Sequence, residues 1–392
     1  MTNGDAPLSP VYFDHNATTP LDPRVAQAMV PWLTGMHGNP SSAHSFGAKA
    51  RQAVERARHQ VAQLLAADEE EVVFLGSGSE GNSMVLADIG RRWAGQGRVV
   101  VSAFEHPSVL RAAERLEGVG MEIVRVPPAA DGIVPVAAVE KTLTRTTRLV
   151  CLMLANNELG TLQPVAEVAA ACRRRGIPVL CDAVQAIGKV AVRPKDLGVD
   201  FLVLAGHKFH GPLGAAALWV REGQALDGLI LGAAQERGLR AGTENVPALV
   251  GLGEACRWAE AELGQRQDHL SQLRQRLEEG LALVPEARIH CQASPRLPQT
   301  TNVAFPGVVA ADLMAALDKV GFSVSTGAAC SSGKPQPSAA MIALGVPPAE
   351  AVSSVRISLG MTNRPAEVDR FLELLPEEVA RLRAFSASAL AG

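Results

Sequence analysis

Short apolar runs, separated by segments with helical periodicity, recur along the chain as far as Val220. The runs at 71–75, 98–104, 122–126, 148–154, 178–182, 201–205 and 215–220 are too short for helices and nearly uniform in apolar character, so they read as strands buried on both faces. Between them, apolar residues at 50, 53, 54, 57, 61, 64 and 65 mark one face of a helix over 48–65, and an alanine-rich helix fits 165–175. This alternation predicts an α/β fold, with a mostly parallel seven-stranded sheet carrying helices on both faces. Residues 11–20 read as a short polar segment ended by Pro20. Beyond Asn245 the pattern changes. One long helical stretch is expected over 248–283, then strands at 300–305, 322–325 and 355–359 and helices at 310–319 and 365–384. The expected division is a large domain, 1–258, and a smaller α+β C-terminal domain, 259–392, with the extreme N-terminal segment packing on the small domain.

In a parallel sheet, ligands gather beyond the carboxyl ends of the strands. Polar residues fall at those ends: Gly78 and Ser79, Glu105 and His106, Asn156 and Asn157, Asp182 and Gln185, His207 and Lys208. Bulk composition narrows the setting. Apolar content of 47%, charged content of 20% and a net charge of −3 suit an ordinary soluble enzyme and give no sign of nucleic-acid or membrane binding. No apolar run reaches transmembrane length, and the first residues lack a basic and hydrophobic leader pattern. Six cysteines, at 151, 172, 181, 256, 291 and 330, are scattered without a C-x-x-C pair. That predicts free thiols, no structural metal site and a reducing, cytoplasmic location.

Three features suggest a chemistry. Lys208 lies on a short connector between two apolar runs. It is either a surface-loop lysine or a desolvated amine with a lowered pKa, suited to a Schiff base. Gly76-x-Gly78-x-x-Gly81 matches a dinucleotide fingerprint, with Glu105 as a candidate ribose-binding acid, so a nicotinamide-dependent dehydrogenase competes. The simpler reading is a helix N-terminus that holds one phosphate with the help of Ser79. Asp182 serves either as a helix cap or as the carboxylate that keeps a pyridine nitrogen protonated. A phosphate site, a reactive lysine and that carboxylate together suggest pyridoxal 5'-phosphate. His106 is a ring-stacking group, a proton carrier or a structural histidine. Arg356 grips a substrate carboxylate or sits in a surface ion pair. Cys330, in a loop of Gly, Ser, Lys and Pro at 325–337, is either a reactive or an inert thiol.

The motifs Y-F-D-H-N-A-T-T-P (12–20), G-N-P-S-S-x-H-x-x-G (38–47), F-E-H-P-S-V (104–109), N-N-E-L-G (156–160), D-A-V-Q-A-I-G-K (182–189), G-H-K-F-H-G-P (206–212), Q-E-R-G-L-R-A-G-T-E-N (235–245), A-A-C-S-S-G (328–333) and R-I-S-L-G (356–360) cover nearly the whole chain. In them the sequence resembles the NifS/IscS-like cysteine desulfurases, class-V aminotransferases of the fold-type-I pyridoxal-phosphate group. The resemblance implies that Lys208 carries the cofactor, that Asp182 pairs with its pyridine nitrogen and that His106 stacks on its ring. Asn157 and Gln185 would approach its phenolic oxygen. Gly78, Ser79, Ala205, Gly206 and His207 would surround its phosphate, and Thr243 would join them from the neighbouring subunit of a homodimer with composite active sites. Arg356, with Asn157, would bind the substrate carboxylate. Cys330 would accept sulfur from L-cysteine and pass it to an acceptor or iron–sulfur scaffold protein, where it could meet a cluster. Its loop resembles the long-loop branch of the family. Two departures stand out: Ala205 replaces the usual phosphate-binding serine, and Leu213 replaces a lysine. A selenocysteine lyase or a cysteine-sulfinate-type lyase on the same scaffold remains the nearest alternative.

Overall fold

The computed structural model describes residues 10–326 and 337–391. The first strand, β1 (Val11–Tyr12), lies within the expected polar segment. It pairs parallel with a strand late in the chain, Val11 opposite Phe322. The sequence pattern could not reveal it, because two residues show no periodicity and the partner is remote.

The large sheet contains β2 (Val72–Leu75), β3 (Arg98–Ser102), β4 (Glu122–Val126), β5 (Thr147–Cys151), β6 (Val179–Asp182), β7 (Phe201–Ala205) and β8 (Ala216–Val220), in the spatial order β2-β8-β7-β6-β5-β3-β4. Only β8 runs antiparallel to its neighbours; the other pairings are parallel. Alternate side chains of each strand enter opposite faces. One face, with Val73, Val101, Leu180 and Val203, packs on helices Gly78–Arg92 and Pro107–Glu117. The other, with Phe74, Val100, Val179 and Leu204, packs on helices Ser45–Leu65, Val165–Arg173 and Val246–Ala261. Both faces are covered, which explains the unbroken apolar runs.

The expected long helix over 248–283 is two helices, Val246–Ala261 and Leu263–Leu281, meeting at Glu262. The break follows from their duties. The first buries Leu249, Leu252 and Ala255 in the large core, whereas the second turns Leu270, Leu273, Leu277 and Leu281 into a separate core. Glu262 holds the corner by accepting from Arg24 and Arg266. Helix Pro23–Thr34, capped by Asp22, adds a further element that hydrophobic spacing did not announce.

The second core contains β9 (Arg288–Ile289), β10 (Thr300–Ala304), β11 (Phe322–Ser323) and β12 (Ser354–Ser358), with helices Ala310–Lys319 and Pro365–Ala391. An antiparallel sheet runs β12-β10-β9, and Val11 and Phe13 are buried in the same core. Ala340, Met341 and Ala351 pack on the large core instead. Among the described residues, no helix is long and apolar enough to cross a membrane.

Candidate active site

The carboxyl ends of β2, β3, β5, β6 and β7 open on one cavity. It has about 170 Å³ of room for the centres of water-sized molecules. Gly78, Ser79, His106, Asn157, Asp182, Gln185, Ala205, His207 and Lys208 all line it. Residues far apart in sequence meet here because each connector begins where a parallel strand ends.

The helix from Gly78 starts against the cavity, with Ser77 as its cap accepting from the Glu80 amide. A side chain on Gly78 would come within 2.9 Å of Val184 Cγ2, so glycine is needed for this close approach. The free amides of that helix start are suited to an anion. On the next connector, His106 caps helix Pro107–Glu117 through Nδ1, which accepts from the Ser108 amide at 3.1 Å. Desolvation lowers its pKa, so the ring is neutral near pH 7.

Asp182 caps a turn rather than a helix. Oδ1 accepts from the Val184 amide at 3.0 Å, and Oδ2 accepts from Asn82 Nδ2 at 2.8 Å. Asn82 also reaches Ser108 Oγ, at 2.9 Å, and so ties two connectors together. It was missed in the sequence; its position one helical turn after Gly78, on the same helix face, was the available signal.

Lys208 is half-buried rather than a free surface lysine. Its amine donates to the carbonyls of Asn16 at 2.7 Å and Ala17 at 2.8 Å. Desolvation first, then the Arg356 charge, brings its pKa down to about 8. His207 is brought down to about 4 by desolvation and by the charges of Lys208 and Lys189.

Asn16 is the larger omission from the sequence reading. Its carbonyl also accepts from Gln185 Nε2 at 2.9 Å. Its side chain donates to the Asn157 carbonyl and to Thr300 Oγ1, and accepts from Gln299. One buried residue therefore joins Lys208, the cavity wall and the second core. Thr19 adds a bond from its hydroxyl to the His207 carbonyl, 2.9 Å. The motif at 12–20 braces the lysine connector.

Other candidates lie differently. Glu105 is buried, with Oε1 accepting from Ser102 Oγ and the Met153 amide, and burial pushes its pKa up to about 8. Turned inward as a pin between connectors, it is not available to a ribose, which removes the main support for a dehydrogenase. Asn156 is likewise buried and shapes its own turn by accepting from the Glu158 and Leu159 amides. Arg356 is 5% exposed and does not line the cavity. It is not in a surface ion pair either: Nη2 donates to Asp14 at 2.6 Å, and Nη1 donates to the Asn157 carbonyl at 3.0 Å. It thus sits one residue behind the cavity wall. Thr243 is exposed and also lies outside this cavity within one chain.

Cys330 lies outside the described residues. Ser325 exchanges backbone hydrogen bonds with Arg356, and the Ser338 hydroxyl donates to Glu158. The described residues on either side of that stretch therefore rest on the neighbours of Asn157. Of the other cysteines, Cys151, Cys172, Cys181 and Cys256 are buried and Cys291 is half-buried. Burial pushes all five thiols up, Cys172 to about 12 and Cys291 to about 11, so they hold their protons. No group of three or more metal-ligating side chains occurs among the described residues.

Comparison with known proteins identifies the family. Residues 11–371 match the class-V aminotransferase family. The chain is 40% identical to a cysteine desulfurase of Trichormus azollae, over 97% of this chain and 95% of that protein. A solved NifS-like protein superposes with a TM-score of 0.90 at 35% identity, covering 95% of this chain and all of the other (100%). A structure described as SspA in complex with cysteine gives a TM-score of 0.79 at 32% identity, over 89% and 98% of the two chains. The chain belongs to the class-V aminotransferase family, in its group of NifS-like cysteine desulfurases.

Proposed function

We propose that this chain is a pyridoxal-phosphate-dependent cysteine desulfurase. It would convert L-cysteine to L-alanine and keep the sulfur as a persulfide on Cys330, for delivery to a sulfur-acceptor or iron–sulfur scaffold protein. The observation that carries this reading is the half-buried Lys208, with its lowered pKa, in one cavity with Asp182 and the helix start at Gly78.

The cavity suits the cofactor. The amides at Gly78 and Ser79, with His207 and the backbone at Ala205 and Gly206, would hold its phosphate. Asp182, oriented by Asn82, would hold its pyridine nitrogen. His106 would stack on the ring, Asn157 and Gln185 would approach the phenolic oxygen, and Lys208 would carry it covalently. When bound, the cofactor supplies an electron sink for the substrate's α-carbon.

The rest falls to the protein. The Lys208 amine takes the α-proton and returns a proton to carbon. The Cys330 thiolate attacks the substrate sulfur: the carbon–sulfur bond breaks and a sulfur–sulfur bond forms. One thiol and cysteine become one persulfide and alanine, so no outside oxidant is needed. Arg356 would help hold the substrate carboxylate, either directly or by fixing Asn157. The named relatives, including the one solved with cysteine, support the choice of substrate. A dimer in which Thr243 completes the partner's site, acting in the reducing cytoplasm, accords with an exposed Thr243 and five protonated thiols.

The test is Cys330→Ala. The variant should keep its cofactor colour and still change spectrum with cysteine, yet release no sulfide or persulfide. Mass spectrometry of the wild type after cysteine should find the extra sulfur on the Cys330 peptide. Full desulfuration by the variant would point to a lyase that expels the leaving group directly.

A further inference from the structure

Lys208 stands between two spaces. Besides the cavity it shares with Asp182, it lines a second, smaller one with His15, Lys189, His210, Arg266 and Gln299. It has about 20 Å³ of room for the centres of water-sized molecules, enough for one water and too little for an organic ligand.

Its polar lining is underused. His15 and Gln299 are each 1% exposed. Neither ring nitrogen of His15 and not Oε1 of Gln299 makes a hydrogen bond to a described residue. The Tyr12 carbonyl and the Asn363 amide lie near the His15 ring without closing a bond of good geometry. Gly360 is pressed against the ring's nitrogen-bearing edge, where an added side chain would come within 2.1 Å. Lys189 is buried too, and its amine donates to the Gln185 carbonyl at 3.0 Å and to Gln185 Oε1 at 3.3 Å. An ammonium has three donors, so Lys189 keeps one N–H, and Lys208, bound to two carbonyls, keeps another. Donors and acceptors thus surround a space of one-water size, the setting in which buried water is found.

We propose that this cavity holds one ordered water and that the water joins Lys208 to Lys189, making Lys189 the proton partner of Lys208. The inference rests on Lys208 being the reactive amine of the proposed function. In the step, the Lys208 ammonium gives a proton to the water as the water gives one of its own to the Lys189 amine. One N–H bond breaks, one forms, and the water is regenerated.

The charges suit this exchange. No carboxylate lines the space, and Arg266 is held by Glu262. Asp14 and Asp182 act on Lys208, and the Arg356 charge disfavours protons on both lysines. Burial, then the Lys208 charge, brings Lys189 down to about 7, next to the value of about 8 for Lys208, so a proton passes between them without a steep climb. His15 and His210, brought down by burial to about 3 and about 4, stay neutral and orient the water rather than carry charge.

Two measurements test the idea. A high-resolution crystal structure of the cofactor-free protein should show one water within hydrogen-bond reach of Lys189 and of His15 or Gln299. With α-deuterated cysteine, the wild-type holoenzyme should lose nearly all of the label to solvent. Lys189→Met should return up to about one third of it to alanine, because the isolated Lys208 ammonium then shares the label among three equivalent hydrogens. A cavity without water, or equal label loss in Lys189→Met, overturns the proposal. Borohydride reduction that fixes the cofactor to a residue other than Lys208 would instead strike the proposed function.

Discussion

At the residue scale, the chemistry depends on where each charge is placed. Lys208 sits on carbonyls rather than in a carboxylate ion pair, so burial outweighs the pull of Asp14 and Asp182 on its proton. Lys208→Ala should bind cofactor without a borohydride-stable link, as peptide mapping after reduction would show. Arg356→Ala should raise the cysteine requirement about ten- to a hundredfold, the value of a lost charge-assisted carboxylate contact; steady-state kinetics with a cofactor titration would separate this from cofactor loss. The two lysines also make a pH prediction. They lose their protons near pH 7 and 8 in the folded protein, against an ordinary value of about 10.4 in the unfolded chain. Over that interval the unfolded chain binds protons that the folded one does not. Stability of the cofactor-free protein should therefore rise with pH, by up to about 1.4 kcal/mol per pH unit for each lysine. Urea denaturation across pH should show a shallower slope in Lys189→Met. Lys208 and Asp182 could be read from sequence because each follows a buried apolar strand. Asn16 could not, because it works through its backbone carbonyl and through partners hundreds of residues away.

At the element scale, apolar runs located every strand of the large sheet, since burial on both faces leaves little freedom of composition, although the runs at 98–104 and 148–154 extend about two and three residues past their strands. They failed where an element is short or serves two cores: β1, and the helix pair broken at Glu262. Glu158 shows how connectors cooperate. It follows Asn157 of the cavity wall, and its carboxylate accepts from Ser338, which also caps helix Ala339–Ala343. Glu158→Ala should leave cofactor colour intact and lower persulfide formation on Cys330, measured in a single turnover, by up to about tenfold, the upper end of the value of one hydrogen bond. Glu158→Gln, which can still accept, should restore most of it.

At the scale of the whole molecule, an exposed stretch bears on the proposed dimer. Thr243 is exposed, and the Ala241 amide donates to the carbonyl of Ile230 in a stretch where Ile230 and Leu231 are 42% and 81% exposed. Large exposed apolar side chains of this kind mark contact surfaces. Mixing Lys208→Ala with Thr243→Ala subunits should then restore activity that neither variant has alone, with sedimentation showing dimers. An active monomer would remove the composite site. Hydrophobic periodicity did not indicate this stretch, because Ile230 and Leu231 lie in a connector rather than on a helix face or a strand.

The pairing of Val11 with Phe322 also bears on how the protein is made. Val11 leaves the ribosome about three hundred residues before its partner. Until then Phe13 has no core, and Asn16 lacks Gln299, Thr300 and Ser358. The seat of Lys208, built from the carbonyls of Asn16 and Ala17, is therefore braced only after Ser358 has been made. A nascent chain thus contains Lys208 well before the residues that steady its seat.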